Sequence, residues 1–303
     1  MIYKESGIME VDMYYICIDV GGTAIKYALL NHQETVIEHG ETPTLKRSKE
    51  EFFKSLTKII QSYEEKFSIQ GIGISFPGHI VPETGHALQA GAIEVLNNEN
   101  IIGLLNEAGV SQRIVIENDA KCAALAEAYS GNARDCQDFC LLTIGTGVGG
   151  AIVRDKKVLH GHGYKAAELG MMIVDFGENG FQNLHGLAST SALVQAYKKL
   201  KCLDESTVVH GKCVFDDSSS EVQELLRKWA NYIALAIFNT VCQNDPEKVL
   251  IGGGVSQDPR LLPLIQESLE KNPEWQIFKV PIETCYYHNM AGIMGAYYLV
   301  KEV

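Results

Sequence analysis

Two features of this sequence have residue types and spacing that could do chemistry: an acidic helix start and a set of glycine-rich turns. The stretch "VIENDAKCAALAEA", residues 115–128, runs from apolar residues through Glu-Asn-Asp into an alanine-rich helix. Asp119 at that helix start has two readings. Its carboxylate can accept the free N–H groups of the first turn and complement the helix dipole, or it can take a proton from a reacting group. Asn118 beside it reads as a second cap residue, and Glu168 in "YKAAELGM" reads by itself as a helix-surface charge. The glycine turns are Gly21-Gly22-Thr23, Gly145-Thr146-Gly147-Val148-Gly149-Gly150 and Gly252-Gly253-Gly254. Glycines let consecutive backbone N–H groups converge on an anion, and a threonine hydroxyl adds a donor. Each turn alone fits a hairpin or bulge. Three together, with Asp19 before the first, point to a nucleotide site. It is not a Walker A loop, because no Gly-Lys-Ser/Thr occurs, and "GTGVGG" leads into the β-like run "AIV" where a Rossmann fingerprint would open a helix.

Apolar strands must present these turns. "YYICIDVGGTAIKYALL", 14–30, reads as strand, glycine turn, strand, and "ETVIEHGETPT" as a third strand. Residues 48–66 have helical spacing that lets Phe52, Phe53, Leu56, Ile59 and Ile60 share one face. "IQGIGISFPG", 69–78, is a short buried strand; 99–109 reads as a helix and "RIVIEN" as the next strand. After the helix of 119–130, "FCLLTIGTGVGGAIV", 139–153, repeats the plan of the first hairpin about 125 residues on, which suggests two related halves. Helices follow over 189–201 and 221–243, then the strand "KVLIGGGVS", 248–256, and a closing helix in "NMAGIMGAYYLV" whose small residues recur at helical spacing. Alternating strands and helices predict α/β halves. The expected division is a smaller N-terminal domain over 1–118 and a larger one over 119–303. The tail helix of 290–303 is expected to return to the first, and 1–12 to be an extension before Met13.

With 303 residues, 46% hydrophobic and 21% charged, the chain has the composition of a soluble globular protein. A formal net charge of −12 argues against a nucleic-acid surface. No apolar run reaches bilayer-spanning length and the first residues are not a signal peptide, so a cytoplasmic protein without a membrane partner is expected. The eight cysteines never form a Cys-x-x-Cys pair and read as reduced, mostly buried small hydrophobes.

"DVGGTAIK", "ENDAKCAALAE", "LTIGTGVGGA" and "LIGGGVS", in this order, resemble the ROK family of repressors, uncharacterised frames and sugar kinases. The resemblance covers residues 14–300. It implies a two-domain α/β fold of the actin-like, sugar-kinase (ribonuclease H-like) type, with sugar and ATP in a central cleft. It also implies that 19–26 and 145–150 are phosphate loops and that 252–254, with Gly253 and Gly254, contacts adenosine. Asp19 would help hold Mg²⁺ through waters. Gly21, Gly22, Thr23, Thr146 and Gly147 would face the phosphates, and Lys26 would add charge or end a strand in solvent. By the same resemblance Asp119 is the general base for the sugar hydroxyl attacked by the γ-phosphoryl. Asn118 binds neighbouring hydroxyls, Glu168 takes a pair of ring hydroxyls, and Gly78 and Asn100 line the sugar pocket.

The family pattern Gly-x-x-Gly-x-Ala-Gly-Glu-x-Gly-His reads here "GHGYKAAELGM", with Tyr164, Ala167 and Met171 at the second glycine, third glycine and histidine. The cysteines of the family's zinc site are missing from "ENGFQNLHGLASTS", and His185 alone cannot make a thiolate site. Structural zinc is therefore not expected, and His160/His162 reads as a loop pair. These departures resemble the β-glucoside kinase branch, which phosphorylates the 6-hydroxyl of the non-reducing glucose in cellobiose-like sugars. Tyr164 either stacks on the second sugar or fills the histidine's space. Glucokinase and N-acetylmannosamine kinase activities are the alternatives, and a sugar-binding protein without catalysis is a remoter one. A family repressor would need a helix-turn-helix domain, and only 18 residues precede Asp19. Homodimers are common in the family.

Overall fold

The computed structural model describes residues 13–178 and 180–302; the extension expected over 1–12 lies outside the described residues. The chain divides into two compact units, one running to Asp119 and resuming at Ala296, the other spanning Ala120–Gly295.

The first unit opens with β1 (Tyr14–Val20), β2 (Ala24–Asn31) and β3 (Val36–Pro43), an antiparallel meander. Helix α1 (Lys49–Glu64) follows, its start fixed by Ser48, whose hydroxyl accepts the Glu51 N–H at 3.2 Å, with Glu50 and Glu51 against the positive helix end. The five apolar residues expected on one face are all buried. β4 (Ile69–Phe76) pairs parallel with β1 and is nearly continuously buried, as a strand covered on both faces must be. A small antiparallel sheet of β5 (His79–Val81), β6 (His86–Gln89) and β7 (Glu99–Asn100) comes next, then α2 (Ile101–Glu107) and β8 (Ile114–Asn118), parallel to β4. The main sheet has the order β3-β2-β1-β4-β8.

The second unit takes up α3 (Asp119–Tyr129) and builds a sheet on β9 (Phe139–Ile144), β10 (Val148–Arg154) and β11 (Lys157–Val158). A long insertion carries the hairpin β12 (Ile173–Gly177) and β13 (Gly180–Asn183). It continues with α4 (Leu184–Ala188), α5 (Thr190–Leu200), α6 (Gly211–Asp216) and α7 (Ser220–Asn244). β14 (Lys248–Gly252), α8 (Leu261–Leu269), α9 (Trp275–Phe278) and β15 (Ile282–Thr284) complete it. The sheet order is β11-β10-β9-β14-β15, with β10 antiparallel and β14 parallel to β9. This matches the arrangement of β2 and β4 around β1. Helix α7 anchors the core through Leu226, Trp229, Ile233 and Ile237.

Helix α10 (Ala291–Glu302) crosses the division, and from Ala296 on it belongs to the first unit. It lies so close to β4 that a Cβ at Gly73 would run into the Ala296 carbonyl. The Tyr297 hydroxyl donates to the Asn31 carbonyl at 3.1 Å and the Tyr298 hydroxyl to Glu34 at 2.6 Å. All eight cysteines are free. Five are buried as expected, whereas Cys202, Cys213 and Cys242 are exposed on the outer faces of the helical insertion. The expected helix over 99–109 is shorter at its start, because Glu99 and Asn100 pair with β6 as a strand.

Candidate active site

In the first unit the hairpin β1–β2 carries Asp19 and Lys26 as direct cross-strand partners. On the other side of β1, Asp19 pairs with Ser75 of β4, whose hydroxyl donates to its carboxylate at 2.7 Å. Burial raises the Asp19 pKa, against the Ser75 bond and the Lys26 charge, which lower it. Lys26 is thus half-buried beside an acid and is not a solvated strand end. A half-buried carboxylate steadied on one side is a donor of the kind a hard cation takes, so Asp19 fits the role of a Mg²⁺ contact. The turn between the strands is closed by the Gly21 N–H donating to the Ala24 carbonyl at 3.0 Å. Thr44 ties it down, its hydroxyl donating to the Gly21 carbonyl at 2.6 Å and its N–H to the Thr23 carbonyl at 3.0 Å.

At the far edge of the same sheet β8 delivers Asn118 and Asp119. Asn118 is buried, and its amide donates to the Gly78 carbonyl at 2.9 Å and to the Asp119 carboxylate at 3.0 Å. Asp119 is the first residue of α3 and is exposed. A buried amide therefore orients an exposed carboxylate, and the Gly78 turn orients the amide. Asn100 is exposed and caps α2, accepting the Gly103 N–H at 2.8 Å.

In the second unit Gly145 and Thr146 open onto a cavity of about 840 Å³, also lined by Gly254, Phe215 and Arg260. A cavity of this size accommodates a nucleotide. Arg260 makes its rigid wall. Its guanidinium donates to Asp258 at 2.8 and 2.6 Å, to Asp216 at 2.8 Å and to the Phe215 carbonyl at 2.7 Å, and it lies 5.4 Å from the Phe215 ring centre. These bonds hold Asp258 below the usual carboxylate range. Thr146 and Gly254 line the cavity directly. Gly147 and Gly253 are not among its lining residues but adjoin Thr146 and Gly254, which are. Gly147 packs on His185, whose ring nitrogen accepts the Val148 N–H at 3.4 Å. Gly253 has φ +86, and a Cβ there would collide with the Ile144 carbonyl. His185 is thus a partner of the glycine turn, and among the described residues no cluster of three or more His, Cys, Asp or Glu could hold a metal ion.

Tyr164 and Glu168 share the loop 160–168 of the same unit. Glu168 is half-buried before a single 3₁₀ turn, Leu169–Met171, so the helix-surface reading of its charge does not hold. The loop is left-handed at Gly161 (φ +73), Tyr164 (φ +59) and Ala167 (φ +64). The two positions where the family pattern has glycine thus keep a glycine-like backbone with other side chains. Tyr164 packs edge-on against His160, ring centres 6.2 Å apart.

Sequence reasoning missed Phe215, Asp258, Arg260 and Lys121. Asp258-Pro259-Arg260 directly follows the third glycine turn, and that adjacency was a usable signal. Lys121, in an alanine-rich helix, gave none.

A model of the ROK family matches residues 15–303. The chain is 30% identical over 297 residues to the beta-glucoside kinase of Listeria monocytogenes, covering 94% of this chain and 97% of that protein. It is 29% identical over 327 residues to the glucokinase of Halalkalibacterium halodurans, covering 96% of each. The solved structure of the Lmo2764 protein from Listeria monocytogenes matches with a TM-score of 0.85 at 27% identity, covering 96% of this chain and 99% of that one. Among the described residues no helix is long and apolar enough to cross a membrane.

Proposed function

The chain belongs to the ROK family and is a carbohydrate kinase, and we propose that it transfers the γ-phosphoryl of ATP to the 6-hydroxyl of a hexose unit, with a β-glucoside such as cellobiose as acceptor. The observation that carries this reading is the Asn118–Asp119 pair, in which a buried amide steers an exposed carboxylate at the start of α3. Helix capping alone does not require that steering.

An alcohol is a poor nucleophile, and a carboxylate within hydrogen-bond reach accepts its proton as the new P–O bond forms. Asp119 performs that step; Asn118 keeps the carboxylate turned toward the acceptor and binds a neighbouring hydroxyl. Glu168 takes two ring hydroxyls, and Gly78 and Asn100 bound the sugar. Thr146, Gly147 and the backbone of Gly21, Gly22 and Thr23 receive the phosphates, whose charge oriented N–H groups stabilise without reorganisation. The purine and ribose occupy the cavity lined by Arg260 and Gly254, next to Gly253. Asp19 would hold Mg²⁺, which would neutralise charge on the transferred group.

The β-glucoside preference is supported by the identity to a beta-glucoside kinase and by Tyr164 and Met171 at the family's glycine and histidine positions. Glucose is the second reading, favoured by the similarity to a glucokinase. A coupled assay with ATP and a panel of glucose, cellobiose, gentiobiose and N-acetylmannosamine decides between them. Asp119→Asn is expected to lower kcat by a factor of about 10³ or more while calorimetry still records sugar binding. Full turnover in that variant overturns the assignment of the base.

A further inference from the structure

Lys121 is one of the largest fully buried side chains, at 2% exposure, although it carries an ammonium group. It lies in the first turn of α3, two residues after Asp119. Its ammonium donates to the carbonyl of Tyr164 at 3.4 Å. A methionine or leucine would fill such a volume without the desolvation that a buried cation incurs. The side chain is therefore placed for its charge, and one group that charge meets is the Tyr164 carbonyl, in the loop 160–168.

That loop needs holding. Within eight residues it is left-handed at Gly161, Tyr164 and Ala167, and at the last two a Cβ makes that backbone unfavourable. Within it the Ala166 N–H donates to the His160 carbonyl at 3.1 Å and the Leu169 N–H to the Ala167 carbonyl at 2.7 Å. The middle of the loop, where Tyr164 is presented, meets the ammonium of Lys121.

We infer that Lys121 is a positioning residue for acceptor selection: it grips the Tyr164 carbonyl and keeps the loop 160–168 on a left-handed course that its own side chains disfavour. The inference rests on the reading of this loop as the acceptor-binding segment through Glu168 and Tyr164. A helix that starts at the proposed base thereby also sets the loop that bears the sugar-binding groups. The acceptors most affected are those extending past one ring, because Tyr164 and His160 form the aromatic part of the loop.

The test is steady-state kinetics of the full chain with ATP and either cellobiose or glucose, alongside thermal unfolding. Wild-type turnover on these sugars tests the kinase reading by itself; the variants test Lys121. Lys121→Met is expected to raise the acceptor KM at least tenfold while the ATP KM stays within twofold, and Lys121→Arg to recover most of the loss. Ala167→Gly, which relieves the backbone without touching a proposed ligand group, is expected to recover part of it in the Lys121→Met background. If Lys121→Met does not fold, Lys121→Gln is read by the same KM split. Acceptor and ATP KM rising together, or an unchanged acceptor KM in the folded variant, overturns the inference. Failure of Ala167→Gly to recover any of the loss overturns it as well.

Discussion

The hairpins β1–β2 and β9–β10 hold the same place in two sheets of the same topology, each with an antiparallel partner on one side and a parallel strand on the other. In the first, the next-to-last residue of the central strand is Asp19, facing Lys26 on one neighbour and Ser75 on the other. In the second the same position holds Thr143, facing Gly149 and Gly252. One copy carries a steadied charge and the other is stripped to small residues. Their turns differ in the same sense. Thr44 closes down the first by two hydrogen bonds, whereas the Gly145 carbonyl in the second takes the Thr190 N–H at 2.8 Å and the turn borders the cavity. Each turn is closed by a bond of its first glycine, the Gly21 N–H to the Ala24 carbonyl and the Gly145 N–H to the Gly147 carbonyl. The side chains differ: a steadied carboxylate in one, and small residues beside a cavity in the other.

The largest way to break this division is to fill the bare side. Gly253→Ala forces a Cβ into the Ile144 carbonyl at a left-handed φ, and several kcal/mol of destabilisation are expected, read as loss of soluble protein or a sharply lowered denaturation midpoint. Neutralising the charged side comes next. Burial raises the Asp19 pKa, so its charge costs stability above the folded-state value and nothing below the ordinary carboxylate range near pH 4. Asp19→Asn is expected to raise Tm at pH 8, with the gain fading as pH falls toward 4, while kcat drops on the order of 100-fold. A lowered Tm at pH 8 would show that Asp19 is a structural residue.

Smaller effects sharpen the contrast between the turns. Thr146→Val is expected to raise the ATP KM by about tenfold, the worth of one hydrogen bond to a charged group, and to leave the acceptor KM within twofold. Thr44→Val removes the tie on the first turn, a 2.6 Å bond from a buried hydroxyl. A loss of about 1 kcal/mol of stability is expected in urea unfolding, with the ATP KM unchanged. Equal effects of the two threonines on ATP binding would erase the distinction.

The parts legible in the sequence share one property: their pattern repeats along the chain. The period of Phe52, Phe53, Leu56, Ile59 and Ile60 marked α1, and the apolar runs broken by glycine marked β1–β2, β9–β10 and β14, because burial of one face leaves its spacing in the residues. The sheet β5-β6-β7 and the short helices α4 and α6 left no such trace. Each spans only a few residues and is held by neighbours more distant in sequence, such as Asn100 of β7 pairing with His86 of β6, or the α7 residues Leu226 and Trp229 that share a core with Leu184 of α4. The candidate site divides likewise. Asp19, Asn118, Asp119 and the glycine turns stand out by type and order, whereas the wall of Arg260 forms from segments more than 40 residues apart.

By itself, then, the sequence determined the strands β1–β4, β8–β10 and β14, the glycine turns and the acid at the head of α3. These follow from local sterics, from the period of burial and from the few residues able to cradle an anion or accept a proton. Tertiary structure decided that Lys121 is a buried cation, because an alanine-rich helix has no polar face to announce which side meets solvent. It also decided that Tyr164 and Ala167 keep a left-handed backbone. Local preference opposes that conformation, and only contacts from elsewhere in the fold can sustain it.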